Sequence, residues 1–134
     1  MSVVVDAYAW VELFMGSSRG RRVREIVEAA ESVYTPDTVL AEISRKYLRE
    51  NASEKEVRER LAVVQAASRI VHITSDLAVS ASRAYLELSE RAKRKRLSSP
   101  SLFDGIVLGA TRLKGARVLT GDVHFKDLPE TIWI

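Results

Sequence analysis

Asp6, Glu42, Asp104 and Asp122 are the side chains best placed by type and position to do chemistry. Asp6 directly follows the run Val3-Val4-Val5, and Asp122 follows Leu119-Thr120-Gly121. A charged residue straight after a buried strand emerges at the rim of a sheet, and a glycine beside Asp122 suits a sharp turn there. Asp104 opens an apolar stretch, Ser101-Leu102-Phe103-Asp104-Gly105-Ile106, and Glu42 borders another, Val39-Leu40-Ala41-Glu42-Ile43. Each also has an ordinary reading. Asp6 and Asp122 suit turns or helix caps, and Asp104 with Ser101 forms a variant capping box. Glu42 is one helical turn from Lys46 and could pair with it. The chain has no cysteine and only two histidines, His72 and His124. Thiolate zinc sites and thiol nucleophiles are excluded. Any metal site is built mainly from carboxylates, which suits hard cations such as Mg²⁺ or Mn²⁺.

The elements that must position these acids alternate between short apolar runs and longer amphipathic segments. Val3–Val5 reads as a buried strand, Val33-Tyr34 as a short second strand, Ile70–Ile73 as a third and Arg117–Thr120 as a fourth. Thr131–Ile134 reads as an edge strand. Between them, a helical turn or two runs from Tyr8 to Met15. A helix capped at Ser17 or Ser18 carries Val23, Ile26, Val27 and Ala30. Thr35-Pro36-Asp37 opens a helix to about Glu50 with Val39, Ile43 and Tyr47 on one face. The capping box Ser53–Glu56 opens another, through Val57, Leu61, Val64 and Ala67. Ser75 or Asp76 caps a long helix towards Arg91, with Leu77, Ala81, Ala84, Tyr85 and Leu88 inward. Ser99-Pro100 begins a last helix, apolar at Leu102, Phe103, Ile106, Val107, Ala110 and Leu113, which Gly115 ends. This alternation specifies an α/β fold with a central parallel sheet of four to five strands and helices on both faces. Ligands of such sheets bind outside the carboxyl ends of the strands, near the topological switch point. Asp6 and Asp122 fall there.

The four acids in this order, at this chain length, resemble PIN-domain nucleases over essentially the whole sequence, and among them the VapC-type toxins. The matching stretches are Val3–Ala7, Val39–Ile43, Ser101–Ile106 and Leu119–Phe125. The resemblance implies a three-layer α/β/α PIN-like fold and Mg²⁺- or Mn²⁺-dependent endonucleolytic cutting of RNA, leaving a 3′-hydroxyl and a 5′-phosphate. It implies a toxin of a type II toxin–antitoxin pair that forms a homodimer and accepts an antitoxin peptide beside the active site. Carried onto this chain, Asp6 and Asp104 are the principal metal ligands and Asp122 completes or bridges the site. Glu42 belongs to a second ion or to water beside it, and Thr120 is placed to hydrogen-bond a ligand carboxylate or the scissile phosphate. Two positions depart from the family: Gly105 stands where alanine is frequent, slightly loosening the helix, and His124 stands where a further acid is frequent. Gathering such acids is costly, since two unit charges 4 Å apart repel by about 4 kcal/mol at an effective dielectric of 20. A divalent cation offsets that repulsion, and phosphodiester hydrolysis uses it to activate water and neutralise phosphoryl charge.

Composition sets outer bounds. The 134 residues, 46% hydrophobic and 29% charged, match a single globular domain over 1–134. No apolar run approaches the roughly 18 residues that span a bilayer, and no signal peptide is read, so a cytoplasmic location is expected. The net charge of +3 is compatible with an anionic partner. Arg91, Lys93, Arg94, Lys95 and Arg96 form a basic run. It reads as the solvated end of a helix, or as phosphate contacts lining an RNA approach to Asp104. Tyr8, Trp10, Phe14 and Met15 divide between core and a hydrophobic partner surface. A P-loop, an Asp-x-Asp phosphatase, a receiver domain and a serine hydrolase are excluded by absent motifs. Two alternatives remain: a catalytically silent PIN-like scaffold that binds RNA or protein, and an RNA-processing nuclease outside toxin–antitoxin systems.

Overall fold

Val3, Val4 and Val5 are each fully buried, because they form the central strand of a five-stranded sheet covered on both faces. In the computed structural model, which describes residues 1–134, this strand is β1 (Ser2–Val5). The other strands are β2 (Ser32–Pro36), β3 (Arg69–Val71), β4 (Arg117–Thr120) and β5 (Thr131–Trp133). The order across the sheet is β3-β2-β1-β4-β5, and all four pairings are parallel.

Six helices connect the strands: α1 (Ala7–Met15), α2 (Ser18–Ala29), α3 (Asp37–Arg49), α4 (Glu54–Ala67), α5 (Ser75–Lys95) and α6 (Leu102–Leu113). The chain runs outward from β1 to β2 and β3, then crosses back to β4 on the other side of β1. Right-handed crossovers therefore put α1 to α4 on one face and α5 and α6 on the other. The reversal lies between β1 and β4, so their carboxyl ends flank the crevice expected of such sheets. No helix is long and apolar enough to cross a membrane.

The main core joins the sheet to Ala9 and Trp10 of α1, Ile43 of α3, Leu88 of α5 and Val107 and Leu108 of α6. Burying a Val, Leu or Ile side chain such as Val107, Leu88 or Ile43 contributes about 1.5–3 kcal/mol. The indole of Trp10 also donates to Thr35 Oγ1 at 3.1 Å.

Several local expectations are corrected. The hydroxyl of Thr74, rather than Ser75 or Asp76, caps α5, accepting from the Leu77 amide at 3.2 Å. That helix continues beyond Arg91 to Lys95, because Ala92 extends its buried stripe and cations are favourable near a helix C-terminus. α6 begins after Ser101 instead of at Ser99-Pro100. Ile73 lies beyond β3, and Leu102 and Leu113 at the two ends of α6 are about half exposed.

Gly105 does more than loosen a helix. A Cβ there would lie 2.7 Å from the Ala81 carbonyl oxygen and 2.7 Å from Tyr85 Cβ, and one at Gly109 would lie 2.7 Å from the Ala81 nitrogen. The two glycines, one helical turn apart, let α6 lie directly on α5. Ser80 Oγ donates to the Gly109 carbonyl across the same contact at 3.2 Å. A second small cluster, Leu77, Ala81, Ile106 and Ala110, closes this seam and fixes the helix that carries Asp104.

Candidate active site

Asp6 leaves β1 and caps α1, its Oδ1 accepting from the Ala7 amide at 2.8 Å. Its own amide donates to the Leu119 carbonyl at 3.2 Å, so the β1–β4 pairing reaches the residue itself. Its Oδ2 accepts from the hydroxyl of Thr120, the last residue of β4, at 2.8 Å. Thr120 Oγ1 in turn accepts the Asp122 amide at 3.0 Å. Thr120 is fully buried and Asp6 only 5% exposed. The threonine thus ties the two strand-end aspartates together.

Asp122 Oδ1 accepts from the His124 amide at 2.9 Å and faces His124 Nδ1 at 2.9 Å. The other ring nitrogen, Nε2, faces the Ser98 carbonyl at 2.8 Å. An imidazolium satisfies both acceptors with donated bonds. Burial pulls the His124 pKa down, but the Ser98 carbonyl and the Asp122 carboxylate outweigh it and hold the ring above its ordinary value.

Asp104 is the third residue of α6 and completes a reciprocal capping box. Its amide donates to Ser101 Oγ at 3.2 Å, and its Oδ2 accepts from the Ser101 amide at 2.8 Å. Asp104, Asp122 and His124 bring ligand atoms within 4.8 Å of one another. Asp6 and Glu42 stand outside that close group but line the same cleft as Asp104 and Asp122. Glu42 is not paired with Lys46, whose Nζ instead contacts Glu50 at 2.8 Å. Glu42 Oε1 is buried without any partner.

The acids feel one another. Burial pushes the Asp6 carboxyl up to about 7; the Thr120 bond opposes this, and the charges of Asp122 and Asp104 add to it. Burial likewise pushes Glu42 up to about 8, helped by Asp6 and Asp104 and opposed by Arg45. Burial raises Asp104 as well, against the bond from the Ser101 amide. Near neutral pH the cluster holds protons or a cation, because desolvated like charges cannot all ionise alone.

The cleft has a volume of about 530 Å³, with Arg45, Lys46 and Arg49 of α3 and Tyr8 and Met15 of α1 lining it besides the acids. In sequence Lys46 reads only as a partner for Glu42 and Arg45 and Arg49 pass unremarked; their signal is the recurrence of Arg45 and Arg49 one turn apart on the helix bearing Glu42. Of the basic run, Arg91 donates to the Lys126 carbonyl at 3.0 Å and Lys95 contacts Asp127 at 3.5 Å. Lys93, Arg94 and Arg96 are exposed. None of the five lines the cleft.

The reason for Gly121 also changes. The left-handed glycines are Gly16 and Gly115, so Gly121 is not there to make a left-handed turn. A Cβ at Gly121 would come within 2.9 Å of Tyr8 Cζ; the glycine clears space for that ring.

A PIN-domain family model matches residues 3–130. No curated protein sequence matches the chain. Among solved structures, the chain is similar to a toxin–antitoxin complex from Klebsiella pneumoniae, with 17% identity over 97% of this chain and 95% of that one and a TM-score of 0.69. It is similar to VapBC2 from Rickettsia felis bound to a promoter DNA fragment, at 18% identity over 100% and 98% of the two chains and a TM-score of 0.67. It is also similar to VapC20 from Mycobacterium tuberculosis, a toxin that cleaves the sarcin–ricin loop, at 21% identity over 92% of each chain and a TM-score of 0.67. At these identities the likeness is one of fold.

Proposed function

Since the chain belongs to the PIN-domain family, we propose that it is a metal-dependent endoribonuclease and the toxin of a VapBC-like toxin–antitoxin pair. The observation that carries this reading is the convergence of Asp6, Glu42, Asp104 and Asp122 on one cleft at the β1–β4 switch point. The toxins among the structures of similar fold support the toxin assignment.

The donor set fits Mg²⁺ or Mn²⁺: it is built from carboxylate oxygens, and Glu42 Oε1 is buried without a partner. Asp104 and Asp122, whose ligand atoms already lie close together, would hold the ion, with Asp6 and Glu42 facing it from the same cleft. A bound divalent cation supplies Lewis acidity to the phosphodiester and its attacking water.

The chain's own residues supply the rest. Thr120 holds the Asp6 carboxylate in one orientation, and His124 does the same for Asp122. Glu42, raised to about 8 by burial and by the neighbouring acids, holds a proton near neutral pH until a cation offsets that repulsion. Arg45, Lys46 and Arg49 offer the positive wall along which a polyanion is drawn. The basic run of α5, led by Lys93, Arg94 and Arg96, would extend phosphate contacts beyond the cleft. Met15, exposed at 67% on the cleft wall, suits an apolar side chain of an antitoxin segment seated beside the site.

The deciding experiment is cleavage of a pool of structured and single-stranded RNAs by the wild type, Asp6→Asn and Asp104→Asn, with Mg²⁺, Mn²⁺ or EDTA. Cuts that need the metal and vanish in both variants are expected. Full metal-dependent activity in either variant would overturn the assignment.

A further inference from the structure

Tyr8 stands two residues after Asp6, half-buried in the first turn of α1, and lines the cleft that holds the four acids. Its position is fixed from two directions. The phenol oxygen accepts from Arg19 Nη1 of α2 at 2.9 Å. One side of the ring rests on Gly121, the residue between Thr120 and Asp122, where even a methyl group would collide with it. An aromatic ring held in this way loses little freedom when something packs on it. The wall supplied by α3 carries Arg45, Lys46 and Arg49, so the cleft offers an aromatic surface and a set of cations beside its acids. That pairing matches single-stranded nucleic acid, whose bases stack on aromatic rings while basic side chains follow its phosphates.

We infer that Tyr8 is a base-stacking platform that seats one nucleobase of a single-stranded RNA next to the bond to be cut, with Arg45 and Arg49 on the neighbouring phosphates. The inference rests on the ribonuclease reading. Double-helical RNA keeps its base faces covered, so the cleft selects unpaired or splayed segments. Tyr8 is a specificity-determining residue, and the acids do the chemistry.

The test maps the cut in a single-stranded oligoribonucleotide with Mn²⁺ and then replaces each flanking nucleotide by an abasic ribose. With wild type, one abasic position is expected to lower kcat/KM by about tenfold or more, mainly through KM. Tyr8→Leu is expected to lose a similar factor on the intact RNA and little more on the abasic one. Tyr8→Trp, which keeps a stacking surface, is expected to stay near wild type. The same oligonucleotides are also titrated by fluorescence anisotropy against Asp104→Asn with and without Tyr8→Leu, so that binding is read even where nothing is cut. Absence of cutting by wild type alongside a Tyr8-dependent abasic penalty in binding would reject the nuclease reading and keep the platform. An abasic penalty unchanged by Tyr8→Leu, or equal affinity of the Tyr8→Leu protein for intact RNA, would overturn the platform.

Discussion

The hydroxyl of Thr120 donates to Asp6 Oδ2 at 2.8 Å while its oxygen accepts the Asp122 amide at 3.0 Å. Thr120→Val keeps the shape and removes both bonds, leaving a buried carboxylate oxygen and an amide unpaired. A loss of about 1–3 kcal/mol of folding stability is expected, together with a lower cleavage rate as Asp6 loses its fixed orientation. Thr120→Ser is expected to retain most of both. Urea unfolding and single-turnover cleavage check the pair.

Asp6 and Glu42 have folded-state pKa values of about 7 and about 8, above the ordinary 3.8 and 4.5. The folded protein therefore keeps protons that the unfolded chain releases from about pH 4 upward, so the unfolded chain binds fewer protons through that window. The stability they contribute is full below about pH 4 and is lost as pH rises through about 7 to 8. His124, also raised, acts in the same direction. Thermal melts in EDTA are expected to show a falling midpoint from about pH 5 to pH 8.5, with a shallower fall in Glu42→Gln. Mn²⁺ is expected to raise the midpoint more at high pH, where it no longer competes with protons.

Asp104 is both a helix cap and a member of the cluster, and the two roles separate by mutation. Asn can still accept the Ser101 amide and carries no charge to repel Asp6, Glu42 and Asp122, so Asp104→Asn is expected to keep or raise its melting temperature near neutral pH while cleavage is lost. Ser101→Ala removes the reciprocal bond and is expected to cost about 1 kcal/mol. Because the Ser101 side chain helps hold the Asp104 turn in place, its activity should fall only partly. Calorimetry and cleavage on the same preparations read both.

Gly105→Ala and Gly109→Ala should each destabilise the protein, by about 1–3 kcal/mol, since the added methyl meets the backbone of α5 at 2.7 Å. At an exposed helical site the same change would be favourable by somewhat under about 1 kcal/mol, so the sign in chemical denaturation is decisive.

The cations of α3 and α5 should differ in their effect on RNA. Removing Arg45 and Arg49 together is expected to weaken RNA binding and flatten its salt dependence by about 0.7 in the log–log slope per lost phosphate contact. Removing Lys93 and Arg94 is expected to do less, because they stand outside the cleft. Affinity measured across a salt series ranks the two surfaces.

Strands and helices were legible where their pattern runs along the chain, but caps only in part: Thr74 rather than Ser75 or Asp76 closes the start of α5. Val3–Val5, the Ser53 capping box and the Val39, Ile43 and Tyr47 stripe carry their own periodicity or cap chemistry, which acts over a few residues. Asp6 and Asp122 could be marked as candidates because they directly follow strands, and Asp104 and Glu42 because, with those two, they match the order of acids in PIN-domain nucleases. What only the tertiary structure decided is contact between distant segments. Asp6 and Thr120, separated by 114 positions, meet because β1 lies beside β4. Likewise, Gly105 is small because α5 presses on it, Gly121 because Tyr8 does, and Glu42 shares a cleft with Asp6, Asp104 and Asp122 because α3 packs beside the ends of β1 and β4. Periodicity and caps are short-range and can be read along the chain, whereas clearance, burial and the shared field of the acids depend on which surfaces the fold brings together.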